Sequence, residues 1–498
     1  MPLKLKVLFV LAEAYPLAKT GGLGDVGPAL ARALVEAGVE VRLLMPAYRA
    51  AARRFEGKAV GKPFRVLEGS DRVRLIKGRL PEFGVPTWLV DCPALYDRPG
   101  GPYADEHGHD WWDNSLRFAI LCKVAAMFAS GQGLDGWKAD VVHGHDWHAG
   151  LASAYTAFDP AATGATVFTI HNLAYQGNFD RKVRHALGID SLAFHMDGLE
   201  FYGHLSFMKA GLWYSDRITT VSPTYARQIL DKENGCGMDG LLHHRRDRLS
   251  GILNGVDHTV WDPATDRCLP ARYGLGDMEG KSRCKIALQE RFGLPKAPDI
   301  PVVGMVGRMA YQKGWDILAD AIPRILPDRV QFVMVGSGDE ALEAGVRELA
   351  AHHPGGVGFV QGYDEELAHL VCAGSDIFTV PSRFEPSGLT QMYAQCYGTP
   401  PVVRRTGGLV DSVTEVTQTT LADGTGTGFF FDRPSGDALA AAIRRAVGLY
   451  RSDRDTWRCI QANGMRMDFS WRSAAGRYVE VYEKALEDRR ARTGGGRG

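Results

Sequence analysis

Three loops in the second half of the chain carry charged groups where a strand pattern ends. In Gly304-Met-Val-Gly307-Arg308-Met-Ala-Tyr-Gln-Lys313-Gly314, an arginine and a lysine stand five apart after an apolar run. A departing diphosphate held without a metal needs fixed cations where its charge develops, and Arg308 with Lys313 supply them. Pro381-Ser-Arg-Phe-Glu385-Pro-Ser-Gly388-Leu389-Thr390-Gln391 sets a carboxylate in a second loop. A helix expected from Gly388 would point its free N–H groups at phosphate oxygens. Arg404-Arg405-Thr-Gly407-Gly408 repeats the pattern in a third loop. One basic turn is ordinary solvated surface, whereas three such loops on one sheet edge form a constellation.

The first half offers different chemistry. Lys19-Thr-Gly-Gly22-Leu-Gly-Asp25 follows a strand pattern and opens a helix pattern. Its glycines let backbone N–H groups approach an anion, and Lys19 adds a full charge. His143-Gly-His145-Asp146-Trp-His148 has the residue types of a metal site, with Asp146 one place early for a binuclear zinc hydrolase. Asp146 also stands where a strand gives way to a helix, so it is expected to cap that helix. Zinc wants three or four converging ligands, and the sequence nominates no others. His171-Asn172 ends the next strand of the same sheet. Gly336-Ser-Gly338-Asp-Glu-Ala341 fits a dinucleotide pattern weakly, because no acid ends the following strand to hold a ribose, and it reads as a turn. The one Asp-x-Asp, Asp453-Arg-Asp455, lies in a charged helical stretch, so no metal–diphosphate motif is evident.

These residues need a scaffold of alternating strands and helices. In the first half, strands are expected over 6–11, 40–45, 140–143 and 166–170, with a helix over 26–37. In the second, strands over 301–306, 331–335, 357–361, 377–381 and 401–404 alternate with helices over 315–325 and 340–351. That alternation predicts an α/β protein with two doubly wound, Rossmann-like parallel sheets. Ligands bind beyond the carboxyl ends of such strands, so the chemistry is expected in an interdomain cleft that both halves face. The boundary is placed in the turn-rich run GILNGVDHTVWDP, and the RTGGGRG end reads as disordered.

Composition excludes several classes. The 498 residues include 58 Lys plus Arg and 58 Asp plus Glu, so there is no basic excess for nucleic acid. No run reaches the roughly 18 apolar residues of a membrane span. The opening MPLKLKVLFVLAEAYP reads as a buried first strand rather than a signal peptide, since Glu13 interrupts its short apolar core. Eight scattered cysteines with no Cys-x-x-Cys pair suit a reduced, cytoplasmic protein.

Taken in order, KTGGLGD, VVHGHDWHAG, TIHNLAYQG, GILNGVD, VGRMAYQKG, SRFEPSGLTQ and RRTGGL resemble the bacterial glycogen synthases and plant starch synthases, retaining glucosyltransferases of the GT-B fold. The resemblance implies glucose transfer from ADP-glucose to the non-reducing end of glycogen or another α-1,4-glucan, without cofactor or metal. Carried over by motif, Lys19, Gly22 and Asp25 would line the sugar-nucleotide site, Asp146 and His171 would flank the glucose, and Asn254 would join them. Arg308 and Lys313 would hold the diphosphate, and Glu385 the glucose hydroxyls. Leu389 and Thr390 would offer N–H groups to phosphate, and Tyr363 would pack near the adenine. The implied domains are 1–254 on the acceptor side, 255–465 on the donor side, a helix over 466–485 returning to the first domain, and a disordered tail over 486–498.

Two departures stand out. The family's Glu-Pro-Cys is Glu385-Pro386-Ser387, and the second acid of a Glu-x7-Glu pattern is replaced by Tyr393. The residues alone leave open UDP-glucose as donor, another acceptor, and a metal-dependent hydrolase built on HGHDWH.

Overall fold

The computed structural model describes residues 4–133, 136–362 and 364–494. The chain forms two units, one of Met1–Gly255 with Trp471–Gly498 and one of Val256–Ser470.

The first unit contains β1 (Lys6–Val10), β2 (Glu40–Pro46), β3 (Gly57–Phe64), β4 (Val73–Arg79), β5 (Pro86–Asp91), β6 (Val141–His145), β7 (Ala165–Ile170), β8 (Asn178–Asp180), β9 (Glu200–Phe201), β10 (His204–Ser206), β11 (Arg217–Thr220) and β12 (Leu249–Gly251). Among the described residues, one sheet runs in the order β12-β11-β7-β6-β1-β2-β5-β4-β3. It is parallel from β12 to β5 and antiparallel from β5 to β3. Strand β1 lies between β6 and β2, and residues 7–10 are fully buried, which is why the segment reads as an unbroken Val-Leu-Phe-Val.

The helix Leu23–Glu36 follows β1 and contains Pro28. A proline has no N–H, so the carbonyl four residues earlier, on Gly24, loses its helical partner. The N–H of Tyr15 donates to that carbonyl at 2.9 Å. One gap in the helix ladder thereby ties the loop after β1 to the start of the helix.

The C-terminal helix, Trp471–Gly494, belongs to this unit. Tyr478 and Tyr482 are buried, and Tyr482 reaches the His143 ring at 2.9 Å. The tail expected to be disordered from 486 is instead helical through 494. Asp488 pairs with Arg217 (2.6 Å) and Arg248 (2.7 Å), Arg489 donates to the Ala162 carbonyl (2.7 Å), and Arg492 pairs with buried Asp216. These ionic anchors supply what the Gly/Arg composition hides.

The second unit contains β13 (Val302–Val306), β14 (Gln331–Gly336), β15 (Val357–Gln361), β16 (Ile377–Val380), β17 (Pro401–Arg404) and β18 (Phe429–Phe431). They form a wholly parallel sheet in the order β15-β14-β13-β16-β17-β18. Trp315, Ile322, Phe332, Ile443 and Ile460 fill its core with no exposure. The Trp315 indole N–H also donates to the Arg308 carbonyl at 3.0 Å, so the core itself holds the loop after β13.

Strand order reverses between β13 and β16 in this sheet and between β1 and β6 in the first. Loops at the carboxyl ends beside such reversals are where doubly wound sheets bind ligands. Four segments are singled out: those after β1, β6, β13 and β16.

Candidate active site

In the second unit, the loops after β13 and β16 are locked together. Arg383 makes a bidentate pair with Asp316 at 2.7 and 2.6 Å, and its guanidinium lies 3.7 Å from the Tyr311 ring centre. Arg383 is the main cause holding the Asp316 carboxyl below its usual range. The Arg383 N–H donates to the Gln312 carbonyl at 2.8 Å, and the Gln312 amide donates to the Phe384 carbonyl at 3.1 Å. The clamp brings Lys313 to Glu385. Their Nζ and Oε2 are 2.7 Å apart, and the Ser382 hydroxyl donates to the same oxygen at 2.8 Å. Glu385 is only 5% exposed, whereas the Lys313 side chain keeps 28% exposure. Such an arrangement gives a buried carboxylate two close donors while leaving the ammonium able to meet an anion. Arg308 lies exposed on the same loop.

The helix expected from Gly388 begins at Thr390, with Leu389 at the cap position. Gly388 has φ +70°, outside helical space, which delays the start. The Gln391 amide pins the turn by donating to the carbonyls of Ser387 (3.2 Å) and Gly388 (3.0 Å). Thr390 therefore stands in the first turn, where N–H groups lack helical partners. Tyr393 stacks on Trp261 at 3.8 Å, and Trp261 also stacks on His369 at 3.8 Å. Tyr363 lies outside the described residues.

The third basic loop does not repeat the anion arrangement. Arg404 donates to the carbonyls of Asp432 and Arg383, and Arg405 pairs with Asp432 (3.0 Å) and Glu415 (3.1 Å). Its glycines serve the neighbouring loop instead. Gly408 donates to the Glu385 carbonyl at 3.0 Å, and a Cβ on Gly407 (φ +47°) would fall 1.9 Å from that carbonyl oxygen. Both arginines are spent on protein partners, so the RRTGG motif buttresses Glu385.

In the first unit, Asp146 occupies the cap position of the helix Trp147–Ala157 but makes no side-chain cap bond. The expected capping role is corrected. Its backbone has φ +57°, which turns the carboxylate toward the loop after β7. There Oδ1 accepts from the N–H groups of His171 (2.8 Å) and Asn172 (3.3 Å). Burial pushes its carboxyl up to about 7 despite those two bonds. His171 is joined to His145 at 3.0 Å, and burial holds His171 and His148 down to about 3. All are neutral imidazoles near pH 7.

The HGHDWH side chains do not converge as a metal set. Both ring nitrogens of His143 are engaged, with Tyr482 (2.9 Å) and Thr169 (2.6 Å), and Asp146 is turned to backbone N–H groups. Among the described residues, Asp266, Cys268 and His369 do cluster at ligand spacing. There the Asp266 carboxylate already accepts from Tyr397 (2.6 Å) and faces His369 (2.7 Å).

Lys19 pairs with Asp25 at 2.9 Å, and Gly22 caps the helix Leu23–Glu36. The N–H groups of Thr20 and Gly21 are taken up within the protein. Both donate to the Glu13 carboxylate, whose other oxygen accepts from the Tyr103 hydroxyl. Glu13 was missed by motif reasoning; the signal available was one acid inside the apolar stretch 7–14, since a buried carboxylate implies donors aimed at it. Asn254 is buried, and no hydrogen bond from the described residues reaches its Oδ1. The structure thus brings together Lys19 with Asp25, Asp146 with His171, and Lys313 with Glu385.

Comparison with known proteins is consistent across the chain. Residues 6–244 match the starch synthase catalytic domain and residues 300–448 match the glycosyl transferases group 1 family. Glycogen synthase of Nitrosospira multiformis is 45% identical, with 98% of each chain covered, and that of Paramagnetospirillum magneticum is 47% identical over 99% of each. The catalytic domain of starch synthase IV from Arabidopsis thaliana, bound to ADP and acarbose, superposes with a TM-score of 0.88 at 31% identity, covering 97% of this chain and 100% of that one. Sucrose-phosphate synthase from Thermosynechococcus elongatus, at 18% identity and TM-score 0.59 over 97% of this chain, shares the fold alone. With candidate loops at the strand-order reversals of two doubly wound sheets and relatives matching end to end, the chain belongs to the glycogen synthase family of GT-B glycosyltransferases.

Proposed function

We propose that the protein lengthens an α-1,4-glucan by transferring glucose from ADP-glucose to its non-reducing end with retention of anomeric configuration. The observation that carries the reading is the buried Glu385 carboxylate held by Lys313 and Ser382 at the reversal of the six-stranded sheet. In this reading Lys313 and Arg308 take the diphosphate and stabilise its charge as the glycosidic C–O bond breaks. Leu389 and Thr390 offer N–H groups to phosphate. Glu385 receives glucose hydroxyls and faces the positive charge developing at the anomeric carbon.

Lys19, Gly22, Asp25 and Asn254 complete the sugar-nucleotide contacts. Asp146 and the neutral His171 hold the transferred glucose. The acceptor hydroxyl attacks from the face the leaving group departs, and its proton passes to a leaving phosphate oxygen. No protein nucleophile is needed. The ADP held by the starch synthase IV relative supports adenine over uracil in the donor. Eight unpaired cysteines fit a cytoplasmic setting, and no helix among the described residues is long and apolar enough to cross a membrane.

The test is ADP release from ADP-glucose with and without glycogen, with a UDP-glucose control and EDTA present. Glycogen-dependent ADP release that survives EDTA is expected. Release from UDP-glucose alone would overturn the donor assignment, and no release from either would overturn the reading.

A further inference from the structure

Glu13 is a buried carboxylate that no role above uses. It lies just past β1, is 3% exposed, and accepts from three donors: the N–H groups of Thr20 and Gly21 on one oxygen and the Tyr103 hydroxyl on the other. The first two belong to the loop that carries Lys19. The Tyr103 ring lies nearly parallel to that of His148, 4.7 Å away with an 18° tilt, and His148 is in the first turn of the helix after Asp146. A continuous chain of contacts therefore runs from the Lys19 loop through Glu13, Tyr103 and His148 to the backbone that sets Asp146.

The residue type is specific to this arrangement. A glutamine of the same length has one acceptor oxygen and an amide that cannot receive the tyrosine proton, so only a carboxylate accepts at both ends. The surroundings otherwise disfavour a negative charge. Burial is the largest cause raising the Glu13 carboxyl above its usual value, and Asp25 adds to it. The neighbouring cation, Lys19, is engaged by Asp25. Keeping an acid in such a place stabilises nothing that an apolar residue could not, unless the loop position matters.

We propose that Glu13 is a positioning residue for glucosyl transfer: its carboxylate sets the backbone of residues 19–22 and, through Tyr103 and His148, fixes that loop relative to Asp146. The inference rests on the transfer reading above. It makes a second demand, because Glu13 also lies close enough to raise the proton affinity of Asp146 electrostatically. The groups facing Asp146 are Glu13, Tyr103 and His171, and those facing Glu13 are Tyr103, Tyr48, Asp25 and Asp146. Among these, Asp146, whose carboxyl burial pushes up to about 7, is the group that changes charge near neutrality, since the histidine stays neutral and the tyrosines stay protonated.

The experiment compares wild type, Glu13→Gln and Glu13→Ala in donor KM, kcat, the pH profile of kcat and melting temperature. Glu13→Ala should lower kcat/KM by about 10²-fold, much of it through donor KM, as expected for a displaced binding loop. Glu13→Gln should recover most of the KM but show the acid limb of kcat moved to lower pH, because a negative neighbour of Asp146 is gone. If wild type is active and both variants keep its KM and pH limb, the inference fails. It fails equally if activity falls only in proportion to folded protein. Wild type that releases no ADP overturns the function itself rather than this inference. Where Glu13→Ala does not fold, the pH limb of Glu13→Gln decides alone.

Discussion

Asp146→Asn should make the protein more stable and less active at the same time. Burial raises the Asp146 carboxyl from 3.8 to about 7, a difference worth about 4 kcal/mol at roughly 1.4 kcal/mol per pH unit. The native protein therefore binds this proton more tightly than the unfolded chain between those two values. Its contribution to stability is fully present below pH 3.8, falls as pH rises through the window, and is lost above about 7, where the buried group is ionised. Asparagine keeps an oxygen for the N–H groups of His171 and Asn172 and never ionises. Those bonds weaken without the charge, so the gain at pH 8 is expected at about 2–4 kcal/mol, shrinking toward none near pH 4. Transfer should fall by about 10²-fold or more, because the group that holds the sugar loses its charge. Urea unfolding followed by tryptophan fluorescence between pH 4.5 and 8.5, beside steady-state ADP release, measures both. A stability difference that does not grow with pH would refute the reasoning, since no strained ionisation would then exist.

Lys313→Ala should lower kcat by about 10²–10³-fold with a smaller change in stability, because Ser382 still donates to Glu385; near-wild-type turnover in the ADP assay would remove Lys313 from the chemistry. His143, His145, His148 and His171 are all kept neutral by burial, whereas the unfolded chain protonates them near 6.5. Their stabilisation is present above pH 6.5 and is lost as pH falls toward their folded values, outweighing the single opposing Asp146. Calorimetry should show the melting temperature of the first unit dropping steeply from pH 6.5 to 4.5, and a flat profile would count against buried neutral imidazoles. Trp315→Phe removes the indole N–H that holds the Arg308 carbonyl, at about 1–3 kcal/mol for the bond and the lost volume. Its turnover should fall further than its melting temperature explains, and unchanged kcat would separate the core from the Arg308 loop.

The elements that motif reasoning placed well are those with one unambiguous period. Strand β13 and the helix Trp315–Ile325 lie where the apolar pattern puts them, because a strand covered on both faces and a helix with one apolar stripe each leave a clear trace. The hairpin of β3 and β4 left little trace, being rich in Gly, Lys and Arg and largely exposed at the sheet edge. At the site, Lys313 and Glu385 were legible as charges after strands. The turn at Asp146 was not, because a helix cap and a left-handed backbone position attract the same residue types. Glu13 escaped because its importance lies in three donors that are distant in sequence or on the backbone, which no motif spells. The RRTGG loop misled for the opposite reason: its arginines have the right charge, but Asp432 and Glu415 claim it.

The first unit is discontinuous in the chain, and this governs the order in which it can be completed. Its last helix, Trp471–Gly494, supplies the Tyr482 that meets His143 and the Asp488 that binds two arginines. A ribosome delivers those residues only after all of 256–470. The nascent first unit therefore waits with part of its sheet face uncovered while the second, a single uninterrupted stretch, has everything it needs to fold. Val256 and Ser470 are bridged side by side, so the inserted unit closes on itself at the point of entry and exit. During synthesis, the first-unit residues that meet this helix, His143, Arg217 and Arg248 among them, are completed only after the whole second unit has been made.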